Sequence, residues 1–223
     1  LYSNKTKPWN ILAVTFTNKA AKEMRIRLES LIGPSANSVW LGTFHSIAAR
    51  ILRENAEVVG LNSNYTIITP DDQIRLLKQI MIDQDIDIKK FTPRAMSHLI
   101  SSWKDKGYKP DDINQSDNDF FANGKAINIY KSYQSRLVTL NSADFGDLLL
   151  YNLTIFSEHL DILQKYQSKI LYFLVDEYQD TNTIQYLWLK LFANKSQNIC
   201  CVGDDDQSIY GLSLIHISEP TRP

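Results

Sequence analysis

Cysteine and long apolar runs are scarce in this chain, and their scarcity excludes several classes of protein. The two cysteines, Cys200 and Cys201, are adjacent within an apolar run, so they predict small core residues and neither a disulfide framework nor a zinc site. No apolar stretch approaches the length of about 20 residues that a membrane-spanning helix needs. The first residues also carry no signal-peptide pattern. We therefore expect no membrane partner and a reducing, cytoplasmic location.

Glycine is also sparse, and its spacing excludes one kind of phosphate site within these residues. None of the eight glycines belongs to a Gly-x-x-x-x-Gly-Lys-Ser/Thr loop. The backbone amides and the lysine with which such a loop cradles the β- and γ-phosphates are therefore missing from the printed sequence. Any nucleotide site that these residues form is expected to be incomplete.

Excess charge of one sign is absent overall but present locally. The net charge is −1, yet residues 1–53 contain eight Lys/Arg and two Asp/Glu, or +6, which leaves −7 for the remainder. A polyanion would bind the first quarter of the chain more readily than the remaining residues. The 43% hydrophobic and 22% charged residues are typical of a soluble globular protein with one large or two small domains.

Strand and helix signals alternate at both ends of the chain and frame a helical block. Strands are predicted at 11–17, 39–44 and 65–69, and helices at 19–32, capped by Asn18, and at 46–59. From 71 to about 167 the signals are almost all helical, with starts at Thr69-Pro70 and Thr92-Pro93. Strands resume only at Lys169. This order predicts an α/β sheet domain with an inserted helical block.

Two acidic segments follow apolar strands in the last third of the chain. The first, Asp176-Glu177, ends the run 170–175, which reads as a strand buried on both faces. One carboxylate could hold Mg²⁺ through its water shell while the next orients and deprotonates an attacking water. The second segment follows 199–202, after a predicted crossover helix at 181–194, and adds the neutral amide of Gln207. Solvated turns have similar compositions, so both alternatives stay open for each segment.

Five ordered segments resemble the UvrD/Rep/PcrA helicases of superfamily one. Residues 176–182 (DEYQDTN) and 203–211 (GDDDQSIYG) resemble motifs II and III, while 13–24, 42–46 and 144–149 resemble motif Ia, motif Ib and a further family segment. The resemblance implies an α/β fold, a RecA-like P-loop NTPase parallel sheet with an inserted all-helical subdomain. The corresponding domain boundaries are 1–70 and 168–211 for the RecA-like parts and 71–167 for the insertion.

The resemblance also implies roles for individual residues at an ATP site. Asp176 is implied as the Mg²⁺-associated carboxylate, Glu177 as the base for the hydrolytic water, and Gln207 as the γ-phosphate contact, with Asp204 beside it. Gln179 and Asp180 are candidates to tie motif II to motif III. Asp180 and Thr181 are equally candidates to cap the following helix.

A second set of residues is implied to contact DNA. An aromatic ring can stack on an unpaired base, and hydroxyl, amide and helix N-terminal N–H groups can hold phosphate. Phe16 is also a typical core residue, His45 a typical structural hydrogen-bonding residue, and Tyr210 a typical strand-end core residue. The implied contacts are Phe16, Thr17, Asn18, Thr43, Phe44, His45 and Tyr210.

The chain departs from the family pattern at two places. The phosphate-binding loop that the family carries before motif Ia does not occur, and residues 212–223 (LSLIHISEPTRP) replace the usual Trp-Arg-Gly-Ala continuation. We expect 212–223 to be a foreign or disordered tail. We also expect an internal fragment of an ATP-dependent 3′-5′ DNA helicase of repair or replication, inactive alone, whose partners are single-stranded DNA and single-strand/duplex junctions.

Two other functions are compatible with parts of the pattern. A non-enzymatic single-stranded DNA-binding module would use Phe16, His45 and the basic first quarter. A metal-dependent nuclease would use Asp176, Glu177 and the carboxylates at 204–206, but it leaves Gln207 unexplained.

Overall fold

The computed structural model describes residues 6–114 and 121–204, which form two compact units. The first unit combines the described residues up to Ile47 with those from Leu160 onward, and the second is Ala48–His159. The strands are β1 (Ile11–Thr15), β2 (Trp40–Thr43), β3 (Thr66–Ile67), β4 (Ser142–Ala143), β5 (Tyr172–Val175) and β6 (Ile199–Cys201). The α-helices are α1 (Asn18–Ile32), α2 (Phe44–Glu54), α3 (Pro70–Asp83), α4 (Pro93–Asp105), α5 (Ala126–Thr139), α6 (Phe145–Glu158), α7 (Leu160–Lys169) and α8 (Thr183–Ala193).

The first unit is built on a parallel sheet in the order β2-β1-β5-β6. Thr15 of β1 pairs with Thr43 of β2, Val14 pairs with Val175 of β5, and Val175 pairs with Cys201 of β6. Because all four strands run the same way, their carboxyl ends lie along one edge of the sheet. That is the edge at which α/β sheets hold ligands.

The two faces of the sheet differ in burial along β5. Phe173 and Val175 are buried and Phe173 packs against Phe192 of α8, but Leu174 is 46% exposed. The helix α1 packs on β1 and β2 and leaves alternate side chains of β5 exposed. The prediction that 170–175 is buried on both faces is therefore wrong. The predicted core positions of Cys200 and Cys201 are also wrong, because both are exposed.

Helix starts agree with the sequence signals where threonine precedes proline. Thr69 and Thr92 accept hydrogen bonds from the backbone N–H groups of the third residues of α3 and α4. The cap of α1 is Thr17, not Asn18, because Thr17 is the residue with extended backbone angles and its hydroxyl accepts from the N–H of Ala20. At α8 the cap is Asn182, so neither Asp180 nor Thr181 has that role.

The second unit is mainly helical, with α3, α4 and α5 around a core that includes Met81, Ile100 and Trp103. It also contains a two-stranded parallel sheet, β3 with β4, although no strand was expected between 71 and 169. Strands of two residues are too short to show a periodicity of two. The compact unit begins at Ala48 and ends at His159. The assignment of 71–167 as an inserted subdomain stays a prediction.

A buried ionic cluster lies at the start of α6, in the segment 144–149. The side chain of Lys104 is 1% exposed, and its Nζ lies 2.7 Å from both Asp144 Oδ2 and Asp147 Oδ1. A Cβ at Gly146 would lie 2.8 Å from Lys104 Cδ, so glycine there leaves room for the lysine. Burial and the neighbouring Asp144 raise the pKa of Asp147 to about 6. Although burial opposes it, Lys104 holds the pKa of Asp144 below its usual value.

No helix among the described residues has the length and apolar character needed to cross a bilayer.

Candidate functional site

The two acidic segments are joined by backbone hydrogen bonds at the carboxyl edge of the sheet. The N–H of Asp176 donates to Val14 of β1 at 3.0 Å, which holds the start of the first segment against the centre of the sheet. The N–H of Tyr178 donates to the carbonyl of Val202 at 2.9 Å. The N–H of Val202 in turn donates to Val175 at 2.8 Å. The segments after β5 and β6 therefore form one continuous surface, as their strand positions predicted.

Glu177 has a backbone conformation that is uncommon for its residue type. Its φ of 52° and ψ of 45° lie in the left-handed region, between β5 and the 3-10 helix Tyr178–Asp180. Such a conformation costs on the order of 1–3 kcal/mol for a residue other than glycine and is typical of functional sites. The turn directs the chain out of the sheet immediately after Asp176.

Gln179 links the two acidic segments through its side chain. Its Nε2 donates to Glu177 Oε2 at 2.6 Å, and its Oε1 accepts from the N–H of Asp204 at 3.0 Å. A Cβ at Gly203 would lie 2.5 Å from Gln179 Oε1 and 3.2 Å from Gln179 N, so the absence of a side chain there permits the approach. The expected tie through Gln179 is present as a pair of hydrogen bonds.

The carboxylates at this edge suit one mode of magnesium binding. Within residues 6–114 and 121–204, no three His, Cys, Asp or Glu side chains group into a metal site. Mg²⁺ bound beside a nucleotide commonly takes only one or two protein carboxylates, the remaining ligands being phosphate oxygens and water. The partly buried Asp176 fits that mode. The nuclease alternative also uses the carboxylates at 205 and 206, which lie outside the described residues.

Phe16 and Phe44 follow neighbouring strands but occupy different environments. Phe16 is 37% exposed, whereas Phe44 is 1% exposed and packs edge-to-face against Trp188 at a centroid distance of 6.1 Å. The two phenylalanine rings also meet edge-to-face, at 6.4 Å. Phe16 can therefore offer a ring to a base, but the buried position of Phe44 does not support its expected direct contact. Phe44 instead packs between Trp188 and Phe16, in contact with both rings.

The threonines near this edge serve the local backbone. The hydroxyl of Thr17 accepts from the N–H of Ala20 at 3.1 Å, and the exposed Asn18 begins α1 beside it. Thr43 is buried, and its hydroxyl accepts from the N–H of Ser46 at 3.2 Å. Because Thr43 is buried, unlike Thr17, its hydroxyl is poorly placed for a direct DNA contact. These local roles were not predicted, although a threonine three residues before a helical N–H is a recognisable capping signal.

His45 lies at the start of α2 and is partly buried. Burial lowers its pKa below the usual 6.5, so the imidazole is neutral at pH 7. A neutral imidazole can donate one hydrogen bond and accept another, but it does not attract phosphate by charge.

Several of the sequence predictions concern positions beyond the described residues. The carboxylates at 205 and 206, Gln207, Tyr210 and the tail 212–223 lie outside them, and Asp204 is the last described residue. Asp204 is exposed at the end of the second acidic segment, with its N–H held by Gln179.

Comparisons with known proteins match most of the chain. A family model described as the UvrD/REP helicase N-terminal domain matches residues 1–217. A probable DNA helicase II homolog of Rickettsia conorii is 51% identical over 213 residues, 95% of this chain and 32% of the relative. The ATP-dependent DNA helicases PcrA of Staphylococcus epidermidis and Bacillus subtilis are 47% and 43% identical, over 92% and 91% of this chain and 28% and 27% of the relatives. The chain thus spans less than a third of the length of these relatives.

Proposed function

Because this chain belongs to the UvrD/REP helicase family, we propose that the whole protein couples ATP hydrolysis to 3′-to-5′ movement on single-stranded DNA and to duplex unwinding. Its proposed setting is DNA repair or replication in the cytoplasm, at single-strand/duplex junctions. The sheet unit is proposed to be RecA-like, with residues 71–167 as its inserted helical subdomain. The observation that carries the proposal is the position of the acidic pair at the same sheet edge as the exposed ring of Phe16.

The ATP side of the proposal rests on Asp176 and Glu177. Asp176 would hold Mg²⁺, which when bound neutralises charge on the phosphate oxygens. Glu177 would orient the attacking water and accept its proton, since its carboxylate follows the strand end directly and is held by Gln179. Gln207 is proposed to contact the γ-phosphate, with Asp204 beside it.

The DNA side rests on the segments after β1 and β2. Phe16 would stack on an unpaired base, while the exposed Thr17 and Asn18 at the start of α1 would hold phosphate. His45 would contribute a neutral hydrogen bond, and Tyr210 a further contact. Thr43 and Phe44 would act by placing their neighbours, since both are buried.

The substitution Glu177→Gln tests the catalytic role in the full-length protein. Removal of the base should lower ATP turnover by about 100-fold or more while nucleotide binding is retained. Steady-state ATPase rates and the affinity for a non-hydrolysable ATP analogue measure the two effects. Glu29→Gln, at an exposed position of α1, is the matched control and should leave both unchanged. Unchanged turnover in Glu177→Gln would remove Glu177 from this role.

A DNA-binding module without enzymatic activity is the alternative that the exposed Phe16 supports. Stimulation of ATP turnover by single-stranded DNA separates the two functions. A helicase shows that stimulation, whereas a binding module retains DNA affinity without it.

A further inference from the structure

We propose that Gln179 is a positioning residue that holds the Glu177 carboxylate in place and couples it to the segment after β6. The inference rests on the proposed role of Glu177 as the base in ATP hydrolysis. It adds a residue that touches neither nucleotide nor DNA and acts through the base.

The chemistry of the two contacts requires an amide at position 179. The Glu177 carboxylate can only accept hydrogen bonds, and the N–H of Asp204 can only donate. A single side chain that bonds both must therefore present a donor on one side and an acceptor on the other. Gln179 does so, at 2.6 Å and 3.0 Å, and no carboxylate or hydrocarbon side chain of that length could.

The packing around Gln179 couples the positions of the two segments. Gly203 lies close to both Tyr178 and Gln179. A Cβ added at Gly203 would be 3.3 Å from Tyr178 N and 2.5 Å from Gln179 Oε1. The Tyr178–Val202 hydrogen bond closes the same short loop. A shift of the Gly203 backbone would therefore displace Gln179, and with it the hydrogen bond that orients Glu177.

The orienting bond matters because the Glu177 carboxylate would otherwise be free to rotate. Its backbone leaves the sheet in the left-handed conformation, and the short contact to Gln179 is a charge-assisted hydrogen bond of the stronger kind. A misplaced base lowers the rate of the chemical step more than it lowers substrate affinity.

A double-mutant cycle in the full-length protein tests the proposal. Gln179→Leu should lower kcat for ATP hydrolysis by about 10- to 100-fold, with KM and the affinity for a non-hydrolysable ATP analogue changed little. In the Glu177→Gln background the same substitution should lower the single-turnover rate less than threefold, because the group that it positions is already gone. Gln164→Leu, at an exposed position of α7, controls for the change of residue type.

A second substitution at position 179 tests the proposal independently of whether Gln179→Leu folds. Gln179→Glu preserves size but removes the donor to Glu177, so it should reproduce the loss of kcat even if Gln179→Leu fails to fold. An equal loss from Gln179→Leu with and without the Glu177→Gln change would overturn the inference, as would a change confined to KM. Full turnover in Glu177→Gln would instead overturn the proposed catalytic role of Glu177.

Discussion

At the scale of single residues, exposure separates side chains that the sequence cannot distinguish. Phe16 and Phe44 each follow an apolar strand of the same sheet, and both were expected to meet DNA. Phe44 begins α2 and turns toward Trp188, a residue far away in the chain. Only that long-range contact decides which ring is buried, so the local pattern could not predict it.

The exposed ring of Phe16 provides a test of the proposed DNA-binding surface. Phe16→Ala in the full-length protein should weaken binding to single-stranded DNA by about 1–3 kcal/mol, the usual value of one base–aromatic stack. Fluorescence anisotropy with a labelled oligonucleotide at fixed salt measures the change. Trp9→Ala is the control, because Trp9 is 49% exposed and precedes β1 at the opposite edge of the sheet. Equal losses in the two variants would argue against stacking at Phe16.

At the scale of elements, two lysines of the helical unit form ion pairs of equal length that differ in burial, and we expect burial to decide how much each contributes to stability. Lys104 and Lys109 both place Nζ 2.7 Å from a carboxylate, but their side chains are 1% and 41% exposed. Lys104→Met should destabilise the chain by about 3–5 kcal/mol, because it leaves two buried carboxylates without their cation. Lys109→Met should cost no more than about 1 kcal/mol. Urea unfolding followed by far-ultraviolet circular dichroism measures both, and equal costs would contradict the expectation.

The same cluster predicts a dependence of stability on pH. The pKa of Asp147 is about 6 in the folded chain, above the ordinary 3.8, so the folded state binds its proton more tightly than the unfolded state does. The stabilisation from that proton is complete below pH 3.8 and is lost as the pH rises through 6. Asp147→Asn should flatten the free energy of unfolding between these two pH values. An unchanged slope in urea titrations would show that Asp147 does not titrate there.

The elements themselves were predictable where the signal is local. Thr69-Pro70 and Thr92-Pro93 mark two helix starts correctly, because a capping hydroxyl and a proline act within one turn. The short strand β4 was missed, since two residues carry no pattern. The exposed face of β5 was also missed, because apolar residues describe a strand equally well whether one or both faces are covered.

At the scale of the whole molecule, the sequence predicted the family and the sheet edge better than the contacts at that edge. The order of the acidic and aromatic segments placed all of them after parallel strands, which the strand pairing confirms. The bridge from Glu177 through Gln179 to Asp204 requires the two segments to lie side by side at atomic distances. Motif spacing suggests such a tie, but it does not determine which atoms form it.

The fold shows which elements carry the excess positive charge of residues 1–53. This stretch contains β1, β2 and the whole of α1, so its +6 charge accompanies the proposed DNA-binding segments. Attraction of that charge to the phosphate backbone is independent of DNA sequence and weakens as salt is added. It complements the stacking proposed for Phe16, which depends much less on salt.

The sheet unit is formed from two stretches of the chain that are far apart in sequence, which affects the order of folding. The partners β1 and β5 are separated in sequence by all of Ala48–His159, whereas that helical stretch is continuous. Helices with nearby contacts form quickly, and pairing across a long loop is slow. During synthesis the ribosome releases β1 long before its partner exists. We therefore expect the helical unit to become compact before β1 pairs with β5.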